Sequence, residues 1–134
     1  MTHRRREYKE MSGSLTLATA RYGKNRSACS SGGCWNGRQI VSKAWIDASM
    51  TPRLEATSDY SYGYLWWLGH SPFNAREVHW AGALGRGGQS IRIVPELDLV
   101  VVATAGYYQD YSPQAFQVQS GMFKDVLRAI SPPG

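Results

Sequence analysis

The sequence predicts an α+β fold, an antiparallel sheet flanked by helices, and three observations carry that expectation. Residues 80–106 read as the end of one strand, a glycine-rich crossing, a second strand, a tight turn from Pro95 to Asp98 and a third, apolar strand, which is an antiparallel meander. Residues 61–68 are rich in aromatic side chains, a composition suited to a strand. Beyond Ser112, apolar residues recur at helical spacing until Pro132-Pro133. A length of 134 residues sets one domain as the expectation and suffices to bury a core.

Residues 1–34 are the least patterned segment, rich in Arg, Ser, Gly and Thr, and are expected to be mostly loop, with Leu15, Leu17 and Ala18 hinting at a short helix. Asn36-Gly37 marks a turn, and Ser42 suits the N-cap of a short helix that runs to about Met50 and is ended by Pro52. Ala44, Trp45 and Ala48 lie close to one face of that helix, which predicts core contacts. In residues 61–68, Tyr62, Tyr64 and Trp66 share one face and Leu65 and Trp67 the other, so this strand is expected to be covered on both sides. The next strand is expected to start near Glu77, with Pro72, Phe73 and Asn74 in the connection. In the final helix Ser112 caps, Pro113 sits in the first turn where a missing N–H does no harm, and Phe116, Phe123, Val126, Leu127 and Ile130 form the apolar face. Gly121 weakens that helix by about 1 kcal/mol relative to Ala. Three or four strands with one long helix leave an edge to be covered, which is how half of a larger domain looks.

Composition narrows the function classes. Fifteen Lys and Arg against ten Asp and Glu give a net charge of +5, but the only basic cluster is Arg4-Arg5-Arg6, which is not the concentrated stripe of a nucleic-acid footprint. No apolar run approaches the length of a membrane span, and no apolar stretch follows the early arginines as an export signal requires. Cys29 and Cys34 are too few for a disulfide framework and lack His partners at zinc-site spacing, so both read as bystander thiols.

Several segments occur in a telling order. They are Gly32-Gly33-Cys34-Trp35-Asn36-Gly37-Arg38-Gln39-Ile40-Val41-Ser42 before a short helix, Tyr62-Gly63-Tyr64-Leu65-Trp66-Trp67, Trp80-Ala81-Gly82, the glycine-rich residues 85–88, Val94-Pro95-Glu96-Leu97-Asp98-Leu99-Val100-Val101-Val102, and the last helix. Over residues 32–130, about three quarters of the chain, this order resembles the C-terminal portion of serine β-lactamase-like and penicillin-binding-protein-like hydrolases, in particular the class C β-lactamase and esterase-type branch. The resemblance implies that residues 35–134 are part of a β-lactamase/transpeptidase-like domain. It also implies a parent reaction of acyl transfer to an active-site Ser followed by hydrolysis.

In that family the nucleophile is the Ser of Ser-x-x-Lys, whose Lys one turn on helps to remove its proton, and a Tyr or Ser on a separate loop assists. This chain has no Ser followed three residues later by Lys and no Tyr-x-Asn, so it is expected to be inactive without an N-terminal half. Trp80-Ala81-Gly82 stands where the family has Lys-Thr-Gly or His-Thr-Gly. The resemblance gives these three residues to substrate contact and the backbone N–H of Ala83 to the oxyanion hole. An indole offers a ring face and one N–H donor instead of a cation, as in esterases of this family with Trp at that position, which points to an ester or amide lacking an essential carboxylate. The resemblance implies no metal or organic cofactor; the charge distribution and the lack of a long apolar run lead to no nucleic acid and no membrane being expected as partners, and exposed strands of a partial sheet are expected to self-associate. A non-catalytic binding module that keeps the groove beside the Trp80 strand, and an inert truncated gene product, stand as alternatives.

Other residues have blander readings. Gly85, Gly87 and Gly88 precede a strand and lack the Lys-Ser or Lys-Thr of a phosphate loop, so they read as sterically required sheet glycines. His79 should face away from whatever Trp80 faces, in a packing role. Gly69-His70-Ser71 begins like a nucleophile elbow but lacks its closing Gly, which discounts Ser71. Glu96 and Asp98 read as solvated turn residues.

Overall fold

The computed structural model describes residues 16–21, 33–35, 37–107 and 113–131. In chain order the elements are β1 (Thr16–Arg21), a small hairpin of β2 (Cys34–Trp35) and β3 (Arg38–Gln39), α1 (Lys43–Ser49), β4 (Leu54–Glu55), β5 (Tyr60–Tyr62), β6 (Trp67–Phe73), β7 (Arg76–Leu84), β8 (Ser90–Val94) and β9 (Leu99–Thr104). A continuous C-terminal helical segment follows, made of α2 (Pro113–Phe116), a π turn (Gln117–Gly121) and α3 (Met122–Ile130). Seven strands form one antiparallel sheet in the order β1-β9-β8-β7-β6-β5-β4, so the fold is α+β.

The meander is where the sequence places it. β7 pairs with β8 through Ala81↔Ile93 to Leu84↔Ser90, and β8 pairs with β9 through Ser90↔Ala103 to Val94↔Leu99. The turn between β8 and β9 is a 3-10 turn over Pro95–Leu97 closed by Asp98 at φ +51°. Ser42 caps α1 as expected, its Oγ accepting from the Trp45 N–H at 3.2 Å.

Alternation along the strands gives the sheet two faces. On one face Val78, Trp80, Val94, Leu99 and Val101 pack with Phe123, Val126 and Leu127 of α3, residues spaced three and four apart on one helical stripe. The other face carries Leu68, Ala81, Ala83, Ile91, Ile93, Val100 and Val102, and Ile91 is 42 % exposed there.

Several expectations are corrected. Leu17 and Ala18 lie in β1, which pairs with β9 from Thr16↔Thr104 to Arg21↔Leu99; a long-range ladder to an apolar strand overrides the local helical hint. Leu15 lies outside the described residues. Residues 61–68 are not one strand covered on both sides, because the chain reverses at Leu65, φ +64°. The Tyr64 N–H donates to the Ser49 C=O at 2.9 Å, and the Gly63 N–H donates to the Trp66 C=O at 2.8 Å. Tyr62 and Trp67 thus fall on neighbouring strands with rings 4.9 Å apart, while Leu65 is 82 % exposed. Pro72 and Phe73 belong to β6 and not to a connection; β5 pairs only with Trp67–Gly69, so Pro72 lies beyond its reach and its missing N–H leaves no bond unmade on that side.

Trp45 is not a core residue. The residue that α1 buries is Ser49, and Trp45 is exposed, stacked on Tyr64 with ring centroids 5.8 Å apart. Phe116 and Ile130 are also exposed, whereas Phe123, Val126 and Leu127 are buried as expected. The π turn inserts extra backbone between α2 and α3 and so breaks the single helical phase that the spacing assumed. Ser112 lies outside the described residues. Gly87 and Gly88 have φ of +85° and +90° in the turn between β7 and β8, which makes them turn glycines, not strand glycines. Cys34 is disulfide-bonded and not a bystander thiol; Cys29 lies outside the described residues.

Candidate functional site

Trp80 is the centre of the helix-covered face. Its indole is 4 % exposed, and its N–H donates to the Ser71 hydroxyl at 3.2 Å. The ring meets Phe123 edge-on at 6.0 Å and Tyr60 at 5.6 Å. Gly69, its register partner on β6, explains how the ring fits: a Cβ there would come within 2.5 Å of the indole.

Arg92 completes this cluster, and sequence reasoning missed it. It is 2 % exposed, with its guanidinium 4.9 Å from the Trp80 ring and 4.8 Å from the Phe123 ring. One terminal nitrogen donates to the Gln119 C=O, while Nε has no hydrogen-bond partner among the described residues. Burial pushes the guanidinium down to about 10, against the raising influence of Tyr60, so it stays charged at neutral pH. The signal was present in the alternation of Ser90, Arg92 and Val94 against Ile91 and Ile93, a strand that turns its isoleucines away from the helix and its arginine toward it.

The four residues assigned by resemblance are not gathered into one cleft. Trp80 and Ala81 line a groove of about 530 Å³ with Tyr60, Leu68, His70 and His79. Ala83 lines a different groove, of about 360 Å³, with Trp67, Leu84, Ile91 and Val102. Gly82 is buried between Trp80 and Arg92, where an added Cβ would lie 3.1 Å from the indole. The Gly85 N–H donates to the Gln89 C=O at 2.9 Å, and ladder bonds recur on alternate residues. Ala83, two residues earlier and in register with Ile91, therefore directs its N–H at β8.

His79 does face away from Trp80, yet it is not a packed residue: its side chain is 77 % exposed. Glu96 receives both its backbone N–H, at 2.9 Å, and its Nδ1, at 3.0 Å. Glu96 is thus more than a solvated turn residue. Its partial burial pushes the carboxyl up, but the side-chain and backbone hydrogen bonds from His79, with the charges of His79 and Arg76, hold it below the ordinary value of 4.5. His70, directly opposite His79 in the β6–β7 register, makes a matching contact from Nδ1 to Glu77 at 3.1 Å. Ser71 is 5 % exposed and serves as acceptor for Trp80, consistent with its being discounted as a nucleophile.

Among the described residues no group of three or more His, Cys, Asp or Glu side chains stands ready to hold a metal ion, and no helix is long and apolar enough to cross a membrane. Compared with known proteins, the chain matches no family model and no curated protein.

Proposed function

We propose that this chain is the C-terminal portion of a β-lactamase-like serine hydrolase domain, inactive alone because it lacks Ser-x-x-Lys, and competent for ester or amide hydrolysis only when a nucleophile-bearing N-terminal half completes it. The observation that carries the reading is the two-faced sheet. α3 packs on the face of Val78, Trp80 and Val101, yet Ile91, Ile93, Val100 and Val102 form a second apolar stretch that faces the other way. A sheet with apolar residues on both faces is the pattern of one buried on both. The order of strand, glycine turn, strand, Pro-containing turn, strand and helix supports it as well.

The Trp80–Ala83 strand is the proposed wall of the acyl site. Trp80 itself is sealed in the core and the Ala83 N–H is directed at β8, so the reading rests on the sheet and the motif order more than on these two side chains. The alternative of a non-catalytic binding module draws on the groove of about 530 Å³ along Leu68, His70, His79 and Ala81. Two measurements separate them. The isolated chain is expected to acquire no adduct from a fluorophosphonate or a fluorescent penicillin, and a stoichiometric Ser adduct overturns its inactivity. Co-expression with an N-terminal fragment carrying Ser-x-x-Lys is expected to restore a reactive Ser and an esterase activity exceeding β-lactamase activity. Ala83→Pro removes the N–H that the resemblance gives to the oxyanion hole and should depress that activity by about 2.7–4 kcal/mol, with circular dichroism recorded to exclude misfolding, since the same N–H is directed at β8. Failure of such fragments to associate with the chain favours the binding module.

A further inference from the structure

His70 and His79 are register partners on β6 and β7, and alternation puts both side chains on the face opposite Trp80. Side chains directly opposite on an antiparallel pair have Cβ atoms roughly 4.5–5.5 Å apart, close enough for two imidazoles to share one ligand. Each ring nitrogen Nδ1 faces a carboxylate oxygen, that of Glu77 for His70 at 3.1 Å and that of Glu96 for His79 at 3.0 Å. An ionised carboxylate only accepts, so in each neutral ring Nδ1 carries the hydrogen and Nε2 the lone pair. A histidine whose Nδ1–H is held by a carboxylate while Nε2 stays free is the arrangement that metal-ligating histidines adopt, since the carboxylate fixes tautomer and orientation and raises ligand basicity.

Two such rings stand side by side here, from one turn carboxylate and one strand carboxylate that are unrelated in sequence. Both histidines line the same groove of about 530 Å³, which also receives Glu55 and Asp59. Its acidic lining raises the local concentration of cations. Imidazole pairs suit copper, nickel and zinc, whereas the hard ions prefer oxygen donors.

We propose that His70 and His79 form a two-histidine site for a divalent transition-metal ion, bound through their Nε2 atoms, with Glu77 and Glu96 holding the two rings in the ligating tautomer and water completing the coordination. The site stands independently of the proposed hydrolase function, and it is tested on the isolated full chain.

Calorimetric titration of the chain with Zn²⁺ and Ni²⁺ is expected to give one ion per chain, and Cu²⁺ loading is expected to give an electron paramagnetic resonance spectrum with splitting from two nitrogens. His70→Ala and His79→Ala should each weaken binding at least tenfold. Glu96→Gln should weaken it by about tenfold to a hundredfold, as loss of the outer carboxylate does in established sites. The third histidine of the sequence, His3, is replaced by Ala in every chain titrated, because a histidine in third place after a free amino terminus binds Cu²⁺ and Ni²⁺ on its own, and the His3→Ala background is expected to keep the one ion per chain. Melting curves without metal confirm that the variants fold, which their exposed positions favour. Binding that survives both His70→Ala and His79→Ala, or that is lost in His3→Ala, overturns the site. An unchanged affinity in Glu96→Gln overturns the role given to that carboxylate.

Discussion

Trp80 stands at a strand position to which two incompatible roles can be given. The resemblance that places Trp80 where hydrolases carry a site cation implies an exposed side chain, whereas here the indole is 4 % exposed and already lies beside a buried guanidinium. Trp80→Ala is expected to cost about 3–5 kcal/mol in urea denaturation, the usual range for emptying a large aromatic site. Trp80→Lys should cost more, because its ammonium enters the core next to Arg92 with no anion to pair with. A stable Trp80→Lys variant overturns the packing assigned to this residue. Arg92→Ala should also destabilise the fold, since a desolvated cation over an aromatic ring contributes about 2 kcal/mol and the Gln119 carbonyl loses its donor. Arg92→Met, which keeps volume against both rings and removes the desolvated charge, is expected to be the milder change in the same assay.

At the level of elements, the turn after β8 does more than reverse the chain. Glu96 bonds to His79 on β7 and thereby ties the turn to the neighbouring strand. Because its folded carboxyl titrates below 4.5, Glu96 stabilises the fold fully above its unfolded value, and the contribution fades as pH falls from 4.5 through the lowered folded value. Glu96→Gln should therefore be less stable than wild type at neutral pH, with the two melting temperatures converging in acid; a constant gap across that window refutes the linkage. The meander, the capped helix α1 and the turn at Pro95 were legible in the sequence because each has a local signal: alternation, a Ser cap, a proline beside an Asp tolerant of positive φ. The reversal at Leu65 was not, because a leucine at positive φ has no sequence signature and is fixed by the bond from Tyr64 to Ser49. The π turn likewise left the spacing of apolar residues looking like one helix. Of the site, the resemblance supplied the strand, while the paired histidines depended on a register between β6 and β7 that only the folded sheet displays.

The whole molecule is a sheet whose two faces are treated unequally. One is closed by Phe123, Val126 and Leu127, and the other leaves Ile91 exposed beside its register partner Val102. At the margins, the two-residue strand β4 presents Leu54 at 64 % exposure on the sheet edge. Contiguous apolar surface and an unpaired strand edge each promote association of like chains. The isolated protein is therefore expected to form oligomers or to have low solubility in light scattering at micromolar concentration. Ile91→Lys places a charge at the centre of the open face without touching the Trp80 cluster, so it should raise the monomer fraction while leaving circular dichroism and the melting temperature close to wild type. Surface substitutions of this kind usually change stability by less than about 0.5 kcal/mol. A wild-type chain that is monodisperse and monomeric with a sharp two-state melt contradicts the open face, and with it the support that face lends to the proposed function.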